Sequence, residues 1–454
     1  MEHTLPRVRQ GLLTTLMALC VVTVVGMVAA INLAVPLLSA SPLHPSPTAL
    51  LWVVDSYVVV FACLLIPAGA AADRFGRKGI LLAGLGVFTA GALLSGCAND
   101  VTPVLAGRVL SGVGAAAVMP ASLAILVGAV PAEQRTKAVA TWASATGLGG
   151  VLGNIGGGAL LQTGSWRALF FGVAPLALAV LVLCGLFVPR TPAHPRPIAV
   201  PSALLFTAGV VALLLGITSG PSTGWASTPV LGAFAAAAAL LGAWCVVELR
   251  IAHPMLDPRL FAIPALRAHC LALVATFVGM FGLFYLNGQY LQHSKGFPPF
   301  LAGLALLPMA VTLFFGPRVT VALAGRVRPR LLTASGLVIV ALGLAALSTA
   351  DSATPYPWYA SATVVLAAGT SLILPLSSAG IMAALPHERA GVGSGLQGMT
   401  RELGSALGVA LAGTVLNTHA DFTSGMHVAL LVLAGVVALT GAVVVTTRVS
   451  GAGS

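Results

Sequence analysis

Residues 69–81 read GAAADRFGRKGIL and separate two long apolar runs, at 49–72 and 79–97. Each run approaches the roughly 20 residues that an α-helix needs to cross the hydrocarbon core of a bilayer. The segment between them carries one acid and three basic residues. The stretch therefore predicts two membrane-spanning helices joined by a short basic turn.

Similar apolar runs recur along all 454 residues, of which 58% are hydrophobic and 7% charged. Soluble domains carry about 25% charged residues. The short alternating segments typical of a transmembrane β-barrel do not occur. We therefore predict an all-α membrane protein with about fourteen transmembrane helices, near residues 12–38, 49–72, 79–97, 101–129, 137–162, 167–188, 199–218, 228–248, 268–290, 300–318, 331–349, 357–380, 391–416 and 426–447.

Basic residues are distributed unequally between the two sides of this predicted topology. The chain has 22 Lys and Arg, and all but four fall at the chain ends or in alternate loops on one side. The four are Arg108 and Arg401 inside spans, and Arg167 and Lys295 in the opposite loops. This asymmetry follows the positive-inside rule. We expect a multi-pass protein of the cytoplasmic membrane with both termini in the cytoplasm, and we interpret the net charge of +11 as topological, with no nucleic-acid partner.

Polar stretches near 189–198 and 249–267 divide the chain into three predicted parts. These are an N-terminal six-helix bundle (1–190), a linker with an extra helix pair (191–250) and a C-terminal six-helix bundle (251–454). Paired bundles with a central site are typical of secondary transporters. No phosphate-binding GxxxxGK[ST] loop occurs, and the six Cys and nine His lack metal-ligand spacing. We expect no enzymatic activity, no cofactor and no metal.

The 69–81 stretch resembles the GxLaDrxGRKxxL signature of the major facilitator superfamily. Gly69 allows another helix to approach, Gly76 supports the turn, and Asp73 can accept hydrogen bonds from a helix N-terminus or an Arg. A latch of this kind would hold one conformation and break in the other. The alternative is a basic stop signal that only fixes topology. We predict a conformational latch made of Gly69, Asp73, Arg74, Gly76, Arg77 and Lys78.

Arg108 lies in a fourth-span stretch that resembles the family pattern LxxxRxxQGxGaA, with Ser111 in place of Gln. A buried Arg is costly unless it is paired or hydrated, so we expect Arg108 to face a cavity. The resemblance implies that it assists proton movement. The alternative is a structural Arg bound to backbone carbonyls.

The fifth span carries a glycine motif. Gly149, Gly153 and Gly157 recur every four residues and form a smooth stripe that suits close helix packing. Together with Gly158, they resemble the GxxxGPxxGG pattern associated with antiporters. Asn154 stands where the family has Pro, which removes the expected kink. Taken alone, such a stripe is more typical of packing than of mechanism.

Further stretches resemble the fourteen-span drug:proton antiporter branch of that superfamily. In the first span, residues 32–36 match the end of its LDxTxVNVALP motif, but Met27 occupies the position of the motif's Asp. The usual acidic group is therefore missing there. The other matching stretches lie at 52–57, 166–175, 248–261 and 395–410.

Two acids, Asp55 and Glu402, lie inside predicted spans. Asp55 resembles the acid at the WVVD position of quaternary-ammonium exporters, where it favours cationic drugs; a hydrated Asp at the membrane rim is the alternative. Glu402, next to Arg401, stands where the family usually has Gln. We predict that Glu402 replaces the carboxyl missing at Met27, the alternative being a Glu satisfied by a neighbouring helix. Proton-coupling or substrate candidates are therefore Asp55, Arg108, Arg401 and Glu402.

These resemblances imply a proton-coupled multidrug or antibiotic exporter that works by alternating access. Its expected partners are the lipid bilayer, protons and small amphipathic drugs, cationic ones among them, and we expect a monomer. One alternative is a facilitator-type importer or an exporter of an endogenous metabolite with the same fold. The other is a non-transporting membrane partner.

Overall fold

The computed structural model describes residues 7–131, 134–190, 200–252, 254–297, 299–386 and 389–446. Most of the predicted 189–198 linker, His253 of the 248–261 stretch and Arg448 lie outside these ranges. Every regular element within them is helical.

The α-helices of these ranges follow one another along the chain, with a 3₁₀ turn at Pro258–Ala262 and a π-helical turn at Tyr290–Ser294. Their bounds are α1 (Arg7–Ser39), α2 (Pro47–Phe75), α3 (Arg77–Gly96), α4 (Val101–Gly128), α5 (Arg135–Leu161), α6 (Arg167–Phe187), α7 (Val200–Thr223), α8 (Thr228–Arg250), α9 (Pro264–Gln289), α10 (Pro299–Leu304), α11 (Leu307–Ala324), α12 (Pro329–Leu347), α13 (Tyr356–Ala383), α14 (Ala390–Asn417) and α15 (Phe422–Thr446).

Twelve helical segments of the described residues are long and apolar enough to cross a bilayer. Two of the fourteen predicted spans correspond to α5 and α14, which are not among these twelve segments. Both are long enough, at 27 and 28 residues, but glycines and polar side chains dilute their apolar content. The structure thus shows an all-helical protein with twelve candidate spans, two fewer than the sequence predicts.

Proline positions explain two differences between the predicted and observed helix bounds. The span predicted at 300–318 is interrupted, since α10 ends at Leu304 and α11 begins at Leu307, with Pro308 in its first turn. Pro has no N–H to donate and suits the first turn of a helix rather than its interior. The span predicted to begin at 268 begins instead at Pro264, for the same reason.

Contacts divide the chain into two compact units. Unit 1 comprises Met1–Ala199 and Leu385–Gly398, and unit 2 comprises Val200–Ala384 and Met399–Ser454. In unit 1, α3 and α2 pack along α4, and α1 packs along α5. In unit 2, α12 packs along α13, and α7 packs along α8. The first residues of α14 belong to unit 1 and the remainder to unit 2.

The glycine stripe of α5 packs against α1 inside unit 1. A Cβ added to Gly153 would lie 2.2 Å from the carbonyl oxygen of Gly26, and one added to Gly157 would lie 2.6 Å from the Cβ of Ala30. Both rows of small residues advance in the same chain direction, so the two helices run parallel. The stripe therefore brings the two backbones close together, as small residues at this spacing do in membranes.

Asn154 and Gly158 do not share this close contact. A Cβ on Gly158 would meet only the end of the Leu33 side chain, at 3.9 Å, and Asn154 is half-buried. Without the family's Pro, α5 continues unbroken from Arg135 to Leu161.

Gly153→Ala is expected to destabilise unit 1 by about 1–3 kcal/mol, because the new methyl group would overlap the backbone of α1. Thermal unfolding of the purified protein in detergent measures this. Gly156→Ala is the matched control, because a Cβ there has no neighbour within 4 Å. Equal melting temperatures for the two variants would contradict the proposed α1–α5 contact.

Candidate functional site

Asp73 lies in the last turn of α2 and is 8% exposed. Its carboxylate accepts hydrogen bonds from the backbone N–H of Gly391, at 2.9 and 3.0 Å, and from that of Val392, at 3.2 Å. These N–H groups belong to the first turn of α14, where helix geometry leaves them without intrahelical partners. The carboxylate therefore caps the positive end of the α14 dipole.

Arg77 completes the environment of this carboxylate. Its Nε donates to Oδ1 of Asp73 at 3.2 Å, and its Nη1 donates to the carbonyl oxygen of Ala124 at 3.2 Å. The chain reaches Arg77 through Gly76, whose φ of 95° is a conformation that glycine adopts at no steric cost. Gly76 thus ends α2 and begins α3 with Arg77 turned back toward Asp73.

Glycines permit the close approach of α2 and α14 beside this contact. A Cβ added to Gly69 would lie 2.1 Å from the carbonyl oxygen of Gly391, and one added to Gly395 would lie 2.4 Å from that of Leu65. No side chain fits at these distances. Glycine on both helices is therefore a condition for Asp73 to reach the α14 N-terminus.

The remaining two residues of the predicted latch make other contacts. Lys78 donates from Nζ to the carbonyl oxygens of Gly185 and Val188, at 2.8 and 2.5 Å, and so stabilises the C-terminal end of α6. The guanidinium of Arg74 lies 5.0 Å from the ring centre of Phe75. The structure thus places Gly69, Asp73, Gly76 and Arg77 together at one end of α2, while Arg74 and Lys78 point elsewhere.

Arg108 is fully buried in unit 1. Its Nε donates to the carbonyl oxygen of Val53 at 2.7 Å, its Nη2 to that of Val54 at 3.4 Å, and its guanidinium lies 4.5 Å from the ring centre of Tyr57. This is the carbonyl-bound arrangement that the sequence left as the alternative. Its Nη1 has no hydrogen-bond partner in the part of the chain that the structure describes.

Asp55 is half-buried on α2 near Arg108 and lies within electrostatic range of it. Its carboxylate makes no hydrogen bond to any described residue. Neither Nη1 of Arg108 in α4 nor this carboxylate in α2 therefore has a hydrogen-bond partner among the described residues. Met27, at the family's acidic position, is an ordinary buried side chain, 1% exposed.

Arg401 and Glu402 lie in the part of α14 that belongs to unit 2. The Arg401 guanidinium lies 4.7 Å from the ring centre of Phe277 in α9, a favourable cation–π geometry. Gly404 makes this approach possible, since a Cβ there would lie 2.9 Å from that of Phe277. Glu402 is half-buried, and its carboxylate makes no hydrogen bond to a described residue.

Sequence reasoning assigned no role to four residues of these contacts: Tyr57, Phe277, Gly391 and Glu248. Glu248, 1% exposed in α8, accepts hydrogen bonds from the hydroxyl of Ser202 and the backbone N–H of Leu256. Gly391 could have been identified as the first residue of a predicted span. Tyr57 ends the matching 52–57 stretch, but nothing in the sequence indicates that Tyr57 or Phe277 contacts an Arg, because only the fold brings these residues together. Within the described residues, no three His, Cys, Asp or Glu come together as metal ligands would.

Comparison with known proteins places these helices in a family. The family model described as Major Facilitator Superfamily matches residues 17–409. The human organic anion transporter MFSD10 (TETRAN) has a similar fold, with a TM-score of 0.69 over 97% of this chain and 100% of that one. At 17% identity, this likeness concerns the fold alone.

Curated relatives are more similar in sequence. The methylenomycin A resistance protein of Streptomyces coelicolor is 31% identical over 85% of this chain and 81% of its own length. The puromycin resistance protein pur8 of Streptomyces alboniger is 32% identical over 90% of this chain and 82% of its own length. With the family match across most of the chain, these relatives show that the protein belongs to the Major Facilitator Superfamily.

Proposed function

We propose that the protein exports a drug or antibiotic across the cytoplasmic membrane in exchange for protons, by alternating access. Two relatives named for resistance to methylenomycin A and to puromycin, each matched over about four-fifths of its length, support drug export. The single structural observation that carries the transport mechanism is the Asp73 carboxylate bound to the N-terminus of α14.

The Asp73 contact has the energy range that a conformational switch needs. A hydrogen bond to a charged group contributes about 1.5–3 kcal/mol, and Asp73 accepts several, including one from the charged Arg77. Moving a two-state equilibrium from 1:99 to 99:1 takes about 5.5 kcal/mol. A few such bonds therefore suffice to favour one state, and separation of α14 from α2 removes them together.

Asp55 and Glu402 are the proposed sites of proton coupling. Each carboxylate lies in a helix and lacks a hydrogen bond to a described residue, so water, a proton or a cationic substrate can bind to it. Protonation neutralises the carboxyl and releases a bound cation, and the different affinities of the two states supply the work. Arg108 and Arg401, next to these acids in their respective units, would favour return to the ionised form.

For the topology, we propose that α5 and α14 also cross the membrane, which gives fourteen spans. An even number places both termini on the same side, and the distribution of Lys and Arg favours the cytoplasm. The proposed parts remain an N-terminal bundle at 1–190, an extra helix pair within 191–250 and a C-terminal bundle at 251–454, in a monomer whose substrates include amphipathic cations.

Drug export is tested by a susceptibility panel in an efflux-deficient bacterial host that expresses the protein. The panel includes lipophilic cations and uncharged antibiotics, together with methylenomycin A and puromycin, for which two relatives are named. We expect higher inhibitory concentrations for at least one class than in the host with empty vector. An unchanged panel, with the protein present in the membrane, would contradict drug export.

Asp73→Asn is expected to abolish the resistance, because the neutral amide loses the charge that α14 and Arg77 stabilise. A loss of about 2 kcal/mol lowers the ratio of latched to unlatched protein roughly thirtyfold. Asp100→Asn is the matched control, since Asp100 caps α4 at an exposed position and Asn caps helices equally well. Full resistance with Asp73→Asn would exclude the latch.

Glu402→Gln is expected to abolish proton-driven efflux while expression stays at the wild-type level, because Gln cannot exchange a proton. Efflux from preloaded cells measures this. Asp421→Asn serves as control: Asp421 lies outside the candidate spans, and hydrogen bonds from Ser424 lower the pKa of its carboxyl below the ordinary value. Wild-type efflux by Glu402→Gln would end the proposal for this residue.

Asp55→Asn is expected to reduce resistance to cationic compounds and to leave resistance to neutral ones unchanged, because only the cation uses the carboxylate charge. The ratio of inhibitory concentrations for the two classes measures this selectivity. An equal loss for both classes would instead assign Asp55 to the shared transport cycle.

A further inference from the structure

The extra helix pair, α7 and α8, is bonded to α14 at the turn between its two helices and to the α8–α9 connection at its opposite end. At the turn between the two helices, Trp225 donates from Nε1 to the hydroxyl oxygen of Thr414 in α14 at 2.9 Å. Three residues further along α14, Asn417 donates from Nδ2 to the carbonyl oxygen of Pro221 at 2.8 Å. At the opposite end, Glu248 binds the backbone N–H of Leu256.

The orientation of the Trp225 indole is fixed by its surroundings. Its ring is parallel to that of Phe234 in α8, with 2° between the planes and 6.3 Å between the centres. Gly220 of α7 also leaves room for the indole, since a Cβ there would lie 2.7 Å from the ring. A side chain held in this way points its N–H at one acceptor, the Thr414 hydroxyl.

The Pro221 carbonyl and the Thr414 hydroxyl are both able to accept the hydrogen bonds from Asn417 and Trp225. Pro221 lies in the last turn of α7, where carbonyl oxygens have no intrahelical partner, and Asn417 supplies one. The Thr414 hydroxyl donates to the carbonyl oxygen of Ala410 at 2.7 Å, which leaves its oxygen free to accept from Trp225. Trp residues between spans are commonly membrane-interface anchors, but an anchor needs neither the stacked ring nor the bond to α14.

The sequence of α14 explains why contacts from other helices matter for the stability of this helix. The helix contains seven glycines: Gly391, Gly393, Gly395, Gly398, Gly404, Gly408 and Gly413. Glycine is the weakest helix former after proline, and a helix of low intrinsic stability depends on its tertiary contacts. The same helix bears Arg401 and Glu402, so its position determines where these charges lie.

We propose that the α7–α8 hairpin is a brace for the C-terminal end of α14, with Trp225 and Asn417 as its positioning residues. Neither residue touches substrate or proton in this account. They act by holding α14 in the register that the rest of unit 2 requires.

Trp225→Phe tests the brace, because Phe keeps an aromatic ring beside Phe234 but has no N–H to donate to Thr414. The smaller ring also removes part of the indole's packing area, and the Trp244→Phe control reproduces the same loss of ring size. Hydrogen exchange of the purified protein in lipid nanodiscs is followed at the amides of residues 410–417. Loss of one hydrogen bond predicts about fivefold faster exchange there. Thr414→Val, which removes the acceptor, should give the same increase, and the double variant should add nothing further. Thr414→Ser keeps a hydroxyl and should restore wild-type exchange.

Trp244→Phe is the matched control. Trp244 lies in the same hairpin, 8% exposed, and its Nε1 has no partner among the described residues, so its variant should not change exchange in 410–417. Unchanged exchange in Trp225→Phe, or an equal increase in Trp244→Phe, would overturn the brace.

A measurement of drug efflux separates a positioning role of Trp225 from a general loss of stability. Only this measurement rests on the proposed function. We expect Trp225→Phe to lower the maximal drug efflux rate two- to fivefold with little change in KM, because α14 affects the conformational step rather than the binding contacts. A raised KM at unchanged maximal rate would overturn the positioning role. If the wild-type protein moved no drug, the exchange measurements would still decide the brace.

Discussion

A charge inside an apolar helical protein must be matched by a partner, since burial of an unpaired ion is costly. Asp73 meets this requirement with the N-terminus of α14 and with Arg77. Arg108 meets it with the carbonyls of α2 and the Tyr57 ring, and Lys78 with the C-terminal end of α6. Helix ends and aromatic faces thus replace the water that a surface charge would use.

The Asp73 contact differs from the others because it joins chain segments that are more than 300 residues apart in the sequence. It rests on backbone N–H groups and on glycines that carry no side chain to interlock. Such a contact is stable while its hydrogen bonds are formed, and no interlocked side chains at these glycines oppose the separation of the two helices. Arg108 instead joins α4 to α2 inside unit 1, through two carbonyl oxygens and the Tyr57 ring.

The sequence predicted much of this arrangement from local chemistry. Repeated apolar runs predict the helices, and the motif around Gly69, Asp73 and Gly76 indicates a carboxylate that accepts hydrogen bonds from a helix N-terminus or an Arg. The sequence did not say which helix, because Gly391 is 318 residues away and nothing local marks the pair. The motif predicts that Lys78 belongs to the latch, whereas in the structure its ammonium group donates to two carbonyl oxygens at the end of α6. Nothing in the sequence indicates the bond between the Trp225 indole and the Thr414 hydroxyl, which joins the extra helix pair to α14.

We propose that downhill proton flow drives the drug out through a cycle governed by these charges. The most direct measurement is uptake of a fluorescent drug into everted membrane vesicles, with and without a protonophore, at fixed drug concentration. We expect the drug to accumulate when the vesicle interior is acid, and its level to fall to that of passive entry when the protonophore dissipates the proton gradient. Equal accumulation in the presence and absence of the gradient would contradict it.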